Sequence, residues 1–161
     1  MKEEDVAYIA GVVDSIGLFR VNIEEDSEYK TGYNMTPVLR IHRSEHETAA
    51  LGLIDEYCEE NHIRVQIHDK GTSIELEINK PDALRQFLEP LMPYLVQKQE
   101  IISIFMGEIV PAVEQKEHHS KQGFYEIIKR MDAMYRNDPS INKWKYKTQF
   151  FSNKWRDEIE T

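Results

Sequence analysis

Cysteine is almost missing from this chain. Cys58 is the single one in 161 residues, so no intrachain disulfide can form, and an intracellular, cytoplasmic protein is expected. Long hydrophobic runs are missing as well. No apolar stretch approaches the roughly 20 residues of a membrane-spanning helix. The opening "MKEEDVAYIAG" is acidic and has no signal-peptide apolar segment, so no membrane partner is expected. There is no glycine-rich phosphate loop, no nucleophile elbow and no Ser-His-Asp set, which argues against the chemistries built on them. Four of the six histidines fall in two pairs, His42 with His46 and His118 with His119. His42 falls on an expected strand and His46 in a helical first turn. With one cysteine and no further convergent ligand, no metal site and no cofactor are expected. Positive charge is short too. Twenty Lys and Arg stand against 29 Asp and Glu, a net of −9, which argues against a generic nucleic-acid binder.

What is present is an ordinary water-facing balance, 40% hydrophobic and 30% charged, on a length that supports one domain with a real core. The charge is unevenly spread. Residues 120–156 hold nine Lys or Arg and three acids, a net of +6, which leaves −15 for the rest. A basic tail on an acidic body suggests an interaction surface.

Hydrophobic spacing predicts an α+β order of α-β-β-α-β-β-α-α. Val6, Ile9, Val12 and Val13 mark a helix over 4–14, with Gly17 ending it. "LFRVNIEE" (18–25) alternates as a half-buried strand, and a second strand follows over 35–43. Ser44 with Glu47 three positions on reads as a capping box opening a helix. Strands over 62–69 and 72–79 flank "DKGT", a turn that pairs Gln66 with Glu75 and Arg64 with Glu77. "KPDALRQFLEPLMPYL" is a helix interrupted by Pro90 and Pro93, and "VQKQEIISIFMGEIVPAVEQ" a longer apolar one. "LGLID" at 51–55 reads as an amphipathic helix with Leu51, Ile54 and Cys58 inward. The expected division is a body over 1–119 and a helical, basic-aromatic extension over 120–161.

Three stretches carry a resemblance: "YIAGVVDSIGLF", "PLMPYLVQKQEI" and the tail "KQGFYEIIKRMDAMY…KWKYKTQFF". With the element order, they make the chain resemble the LAGLIDADG homing endonucleases of single-motif, archaeal type. Residues 9–17 align with the family's nine-residue motif without a gap. The resemblance implies a four-stranded saddle that lies in the DNA major groove. It also implies a motif helix that packs against a second copy. One motif per chain then implies a homodimer, with Ala7, Ala10, Gly11 and Asp14 at the interface. The alternative is that these small residues pack on the chain's own sheet.

The family's metal-binding acid is expected at motif position eight, and that position is Ile16. Isoleucine cannot ligate Mg²⁺, so the resemblance implies no intact catalytic set, with Asp14 and Lys98 as remnants. Asp14 matches the motif's structural acid, expected to bond locally at the helix end. Lys98 matches the family's active-site basic residue, or is a solvated lysine.

By alternation the saddle face carries Arg20, Asn22, Val38, Arg40, His42, Arg64, Gln66 and His68, with Arg43 near the end of strand two. Leu18, Glu24, Glu75, Glu77 and Asn79 share that face, and its three glutamates are placed to meet DNA or, for Glu75 and Glu77, to pair within the sheet. In the tail, Lys143, Lys145 and Lys147 alternate with aromatics. That pattern suits phosphate contact with base stacking, or aromatics docked on the body. The implied function is a non-cutting or regulatory binder of double-stranded DNA. Two alternatives stand beside it: an active Mg²⁺-dependent site-specific endonuclease, and a protein-interaction module with a protein partner on an acidic saddle.

Overall fold

The computed structural model describes residues 1–161. Its core order is αββαββα, followed by further helices. The first helix, α1, spans Glu3–Ile16 and leads into β1 (Leu18–Glu25) and β2 (Tyr33–Ser44). Then come α2 (Thr48–Glu60), β3 (Gln66–Asp69), β4 (Ser73–Ile78) and α3 (Pro81–Leu88). The remaining helices are α4 (Gln99–Ile104), α5 (Val110–Glu114), α6 (Lys121–Arg136) and α7 (Thr148–Lys154). The strands form one four-stranded sheet in the order β1-β2-β4-β3, with antiparallel pairing of β2 to β4 and β4 to β3. No helix is long and apolar enough to cross a membrane.

The chain groups into two compact units. One holds Met1–Arg20 and Val38–Gln99, the other Val21–Pro37 and Glu100–Thr161. In the first unit, α1 opens with Glu3, Glu4 and Asp5, which suit the positive end of a helix dipole. Its buried stripe is Ile9, Ala10, Val12 and Val13, while Glu4, Tyr8, Gly11 and Ser15 are exposed at helical spacing. The helix stops at Gly17. A Cβ there would sit 2.6 Å from the Val13 carbonyl oxygen, so only glycine fits. The core gathers Leu39 and Ile41 of β2, Leu76 and Ile78 of β4, Leu51, Ile54 and Cys58 of α2, and Leu84 and Phe87 of α3. Each such side chain contributes about 1.5–3 kcal/mol on burial. "LGLID" is thus a core helix segment. Pro81 opens α3, and Pro90 and Pro93 fall in a tighter 3₁₀ turn over 89–94, where a missing N–H costs less than in a helix interior.

Three local expectations are corrected. The capping box at Ser44 does not form. Ser44 is the last residue of β2, paired with Ser73, and the Glu47 side chain turns back to Arg43 at 3.4 Å. The strand expected over 62–69 is only Gln66–Asp69. The three residues from Asn61 to Ile63 instead close α2. His62 adopts a left-handed φ of 54°, and Ile63 N–H donates to the Cys58 carbonyl at 2.8 Å, a helix C-cap.

The β3–β4 register is also offset by two. Gln66 faces Glu77 and His68 faces Glu75. The turn is 70–73 rather than 69–72: Lys70 N–H donates to the Ser73 carbonyl at 2.9 Å, with Gly71 at φ 83°. An offset of two preserves every side chain's face, because strand alternation has period two.

The second unit is aromatic. Tyr33 and Phe124 surround Phe151, at ring centroids of 5.2 and 5.1 Å, and Trp155 packs tilted against Phe151 at 4.8 Å. Phe151 and Trp155 are buried. Ser120 caps α6, its hydroxyl oxygen accepting from Gly123 N–H at 3.0 Å. The long apolar helix forms as α4 and α5 joined by a π turn over Phe105–Ile109, just before Pro111, which has no N–H for the regular ladder. Buried Asp132 holds the segment before α7, accepting from Trp144 Nε1 at 2.8 Å and from Thr148 N–H at 2.9 Å.

Candidate nucleic-acid interface

The end of α1 is where the sequence motif concentrates its chemistry. Asp14 lies on the buried side of the helix. Its Oδ1 accepts from Gln97 N–H at 2.9 Å and Lys98 N–H at 2.8 Å, and its Oδ2 from Val96 N–H at 3.0 Å. Burial alone raises the carboxyl's pKa. The N–H donors of Gln97, Lys98 and Val96, helped by the Lys98 ammonium, outweigh it and hold Asp14 below its ordinary value. Lys98 Nζ donates to the Gly17 carbonyl at 2.6 Å.

Asp14 therefore ties α1 to the segment that opens α4. Ile16, half-buried beside it, brings no donor atom. A carboxylate with both oxygens already engaged by backbone, an alkyl side chain and an ammonium do not fit a divalent cation. No chemical step through such an ion follows from this end of the helix.

The proposed α1 interface residues separate. Gly11 is exposed, and a Cβ added there meets nothing within 4 Å. Ala7 is half-buried. Ala10 has no exposed surface, so it packs inside its own chain. Asp14 is also turned inward. The open stripe runs through Tyr8, which is 53% exposed and which no sequence signal marked.

On the sheet, Arg40 of β2 pairs with Glu77 of β4, Nε to Oε2 at 2.9 Å. His42 Nε2 lies 2.6 Å from buried Glu75, and Lys70 Nζ reaches the same carboxylate at 3.3 Å. Two hydrogen bonds and the Arg40 charge overcome burial to hold the Glu77 carboxyl low. Glu75 and Glu77 thus pair within the sheet, through cross-strand neighbours. Arg20 and Asn22 are half-buried on β1, and Gln66 and His68 lie on β3.

Three placements differ from expectation. Val38 is 1% exposed and belongs to the core, within a run of three buried residues over 37–39. Arg64 is exposed but precedes β3, displaced from the sheet by the C-cap of α2. Arg43 stands within β2 opposite Ile74 and turns to Glu47, off the Arg40–His42 face.

In the tail, Lys143, Lys145 and Lys147 are exposed. The aromatics between and after them are not free to stack on bases. Trp144 is bonded to Asp132, Phe151 and Trp155 are core, and Lys147 and Lys145 lie 4.9 Å from the Trp144 and Tyr146 rings. The segment is an anchored ridge that presents ammonium groups.

No family model matches the sequence. The chain is 25% identical over 134 residues to "Probable intron-encoded endonuclease 2" of Neurospora crassa, which is 80% of this chain and 28% of that protein. It therefore spans just over a quarter of that relative's length. Among solved structures, the homing endonuclease I-CvuI in complex with the I-CreI target has a TM-score of 0.79 at 16% identity, with 97% of each chain covered. The archaeal intron-encoded homing endonuclease I-Vdi141I complexed with DNA gives 0.75 at 21%, covering 96% of this chain and 99% of that one. The LAGLIDADG meganuclease I-CpaMI bound to uncleaved DNA gives 0.72 at 22%, covering 97% of this chain and 50% of that one. The chain has the LAGLIDADG homing-endonuclease fold.

Proposed function

We propose that this protein is a homodimeric, LAGLIDADG-type binder of double-stranded DNA that does not cut its target. The observation that carries the binding reading is the near-complete fold match to proteins solved on DNA. The size relation supports pairing. The same fold fills whole chains of this length and half of a chain twice as long, as expected if two copies make one unit. Gly11 on the open face of α1 lets a second backbone approach closely.

The exposed Lys143, Lys145 and Lys147 supply sequence-independent phosphate contact. Arg20, Arg40, Gln66 and His68 supply base-edge contact, with Arg40 exchanging Glu77 for guanine. The extension over 120–161 serves as the basic part of this surface, and the body over 1–119 as the groove-facing part. The absence of cutting rests on Ile16 and on the full engagement of Asp14. Magnesium has no role in this reading.

The test is a salt-titrated binding curve on duplex DNA, run with light scattering of the free protein. Binding that weakens steeply with salt, by a protein of twice the chain mass, is expected. A monodisperse monomer, or no affinity for any duplex at low salt, overturns the reading. The latter result moves attention to a protein partner on the acid-bearing sheet face.

A further inference from the structure

We propose that the exposed face of the sheet holds a zinc-class metal site built from His42, His68 and Glu75, with Glu77 as a fourth, exchangeable ligand. The site is separate from the end of α1; it shares His68 with the proposed DNA face, so it is tested on the DNA-free protein.

The register creates it. β4 lies between β2 and β3, and Glu75 faces His42 on one side and His68 on the other. Facing residues on neighbouring strands project to the same side of a sheet, so two imidazoles flank one carboxylate in a single row. His42 Nε2 is already 2.6 Å from Glu75 Oε2. The ligand atoms of His68, Glu75 and Glu77 lie within 4.8 Å of one another. Zinc binds at about 2.0–2.2 Å from imidazole nitrogen and carboxylate oxygen, so ligand atoms around one ion stand roughly 3–4 Å apart. The gap within the His68, Glu75 and Glu77 trio is small, and His42 joins it from the far side of Glu75 through its contact with that carboxylate.

The environment favours a cation. Glu75 is 5% exposed, and a carboxylate removed from water needs a positive partner. Lys70 supplies that charge in the metal-free protein, and His42 lies at hydrogen-bond distance from the same carboxylate. A divalent ion replaces it with more charge and leaves both histidines neutral, as ligands must be. Two imidazoles and a carboxylate select zinc, cobalt or nickel over magnesium and calcium, which prefer all-oxygen shells. Glu77 is held by Arg40 at 2.9 Å. It completes the shell only when that pair opens, and water takes the position otherwise.

The experiment uses the full chain, stripped with a chelator and desalted. Titration with Co²⁺ is followed by visible absorption, and Zn²⁺ affinity is measured by competition with a chromophoric chelator. One ion per chain is expected, with the visible bands of a four- or five-coordinate cobalt site. His68→Ala and His42→Ala should each weaken binding at least about tenfold, and the double variant should abolish it. His46→Ala, on an exposed side chain outside the row, should leave it unchanged. Circular dichroism verifies that each variant is folded. His68 lies on a short edge strand, so its variant keeps the test usable if Glu75→Gln unfolds. Absence of saturable binding, or unaltered affinity in the folded His42→Ala/His68→Ala protein, overturns the proposal.

Discussion

Replacing Asp14 by alanine should destabilise the chain severely, and the geometry sets the size of the loss. Three backbone N–H groups converge on this carboxylate at 2.8–3.0 Å. A hydrogen bond to a charged group is worth about 1.5–3 kcal/mol when removed. Val96 is 77% exposed, so part of the freed backbone regains water, and the lower end applies. The expected cost is about 3–4 kcal/mol for Asp14→Ala. Asp14→Asn keeps one acceptor oxygen and should lose about 1–2 kcal/mol. For a chain of this size the alanine variant should melt roughly 10 °C lower.

The pH dependence follows from the same contacts. The folded pKa is depressed, so the stabilisation is present above the unfolded carboxylate value and is lost as pH falls through the folded one. Urea unfolding of both variants at neutral pH, and of the parent between pH 7 and pH 3, reads these effects. Variants within about 0.5 kcal/mol of the parent would refute the argument that Asp14 ties α1 to the segment before α4.

Gly11→Leu should split the proposed dimer, because a leucine on the open face of α1 would keep two backbones apart; light scattering detects the change in mass. Neutralising Lys143, Lys145 and Lys147 together should weaken binding to every duplex. It should also flatten the salt dependence by up to about 0.9 log units for each phosphate no longer neutralised. Arg40→Ala should instead relax sequence preference, since a bidentate guanine contact is worth about 1–3 kcal/mol of discrimination; binding to selected and random duplexes separates the two effects. His118 is pushed down to about 4 by burial and by His119. The unfolded chain therefore binds the extra proton between pH 6.5 and 4, and stability should fall as pH drops through that window. His118→Phe should flatten that slope in pH-dependent melts. The buried Cys58 thiol, pushed up to about 12, should resist alkylation until the protein unfolds.

The element order was legible because periodicity is local. The alternation of Phe19, Val21 and Ile23 and the helical spacing of Leu51, Ile54 and Cys58 each commit a segment to one face. What escaped were choices set by neighbours in space. Ser44 and Glu47 match a capping box, but Ser44 was claimed by the β2–β4 ladder. Arg64 alternates with Gln66, yet a left-handed His62 ended the strand first. The two-residue register offset left every face correct while changing every partner. That offset hid the row of His42, Glu75 and His68. Placing Gly71, rather than the whole "DKGT" segment, at the left-handed turn position would have recovered it. In the tail, alternation correctly exposed the lysines, but only the fold shows Asp132 gathering Trp144 and Thr148 beneath them.

The central claim is that the chain binds duplex DNA and leaves it whole. The most direct measurement is selection from a random duplex library in Mg²⁺ buffer, followed by sequencing of the bound molecules and their ends. The account predicts enrichment of a pseudo-palindromic site, as two-fold symmetry requires, recovered with both strands intact. Recovery of double-strand ends at a defined position, or no enrichment over the starting library, would contradict it.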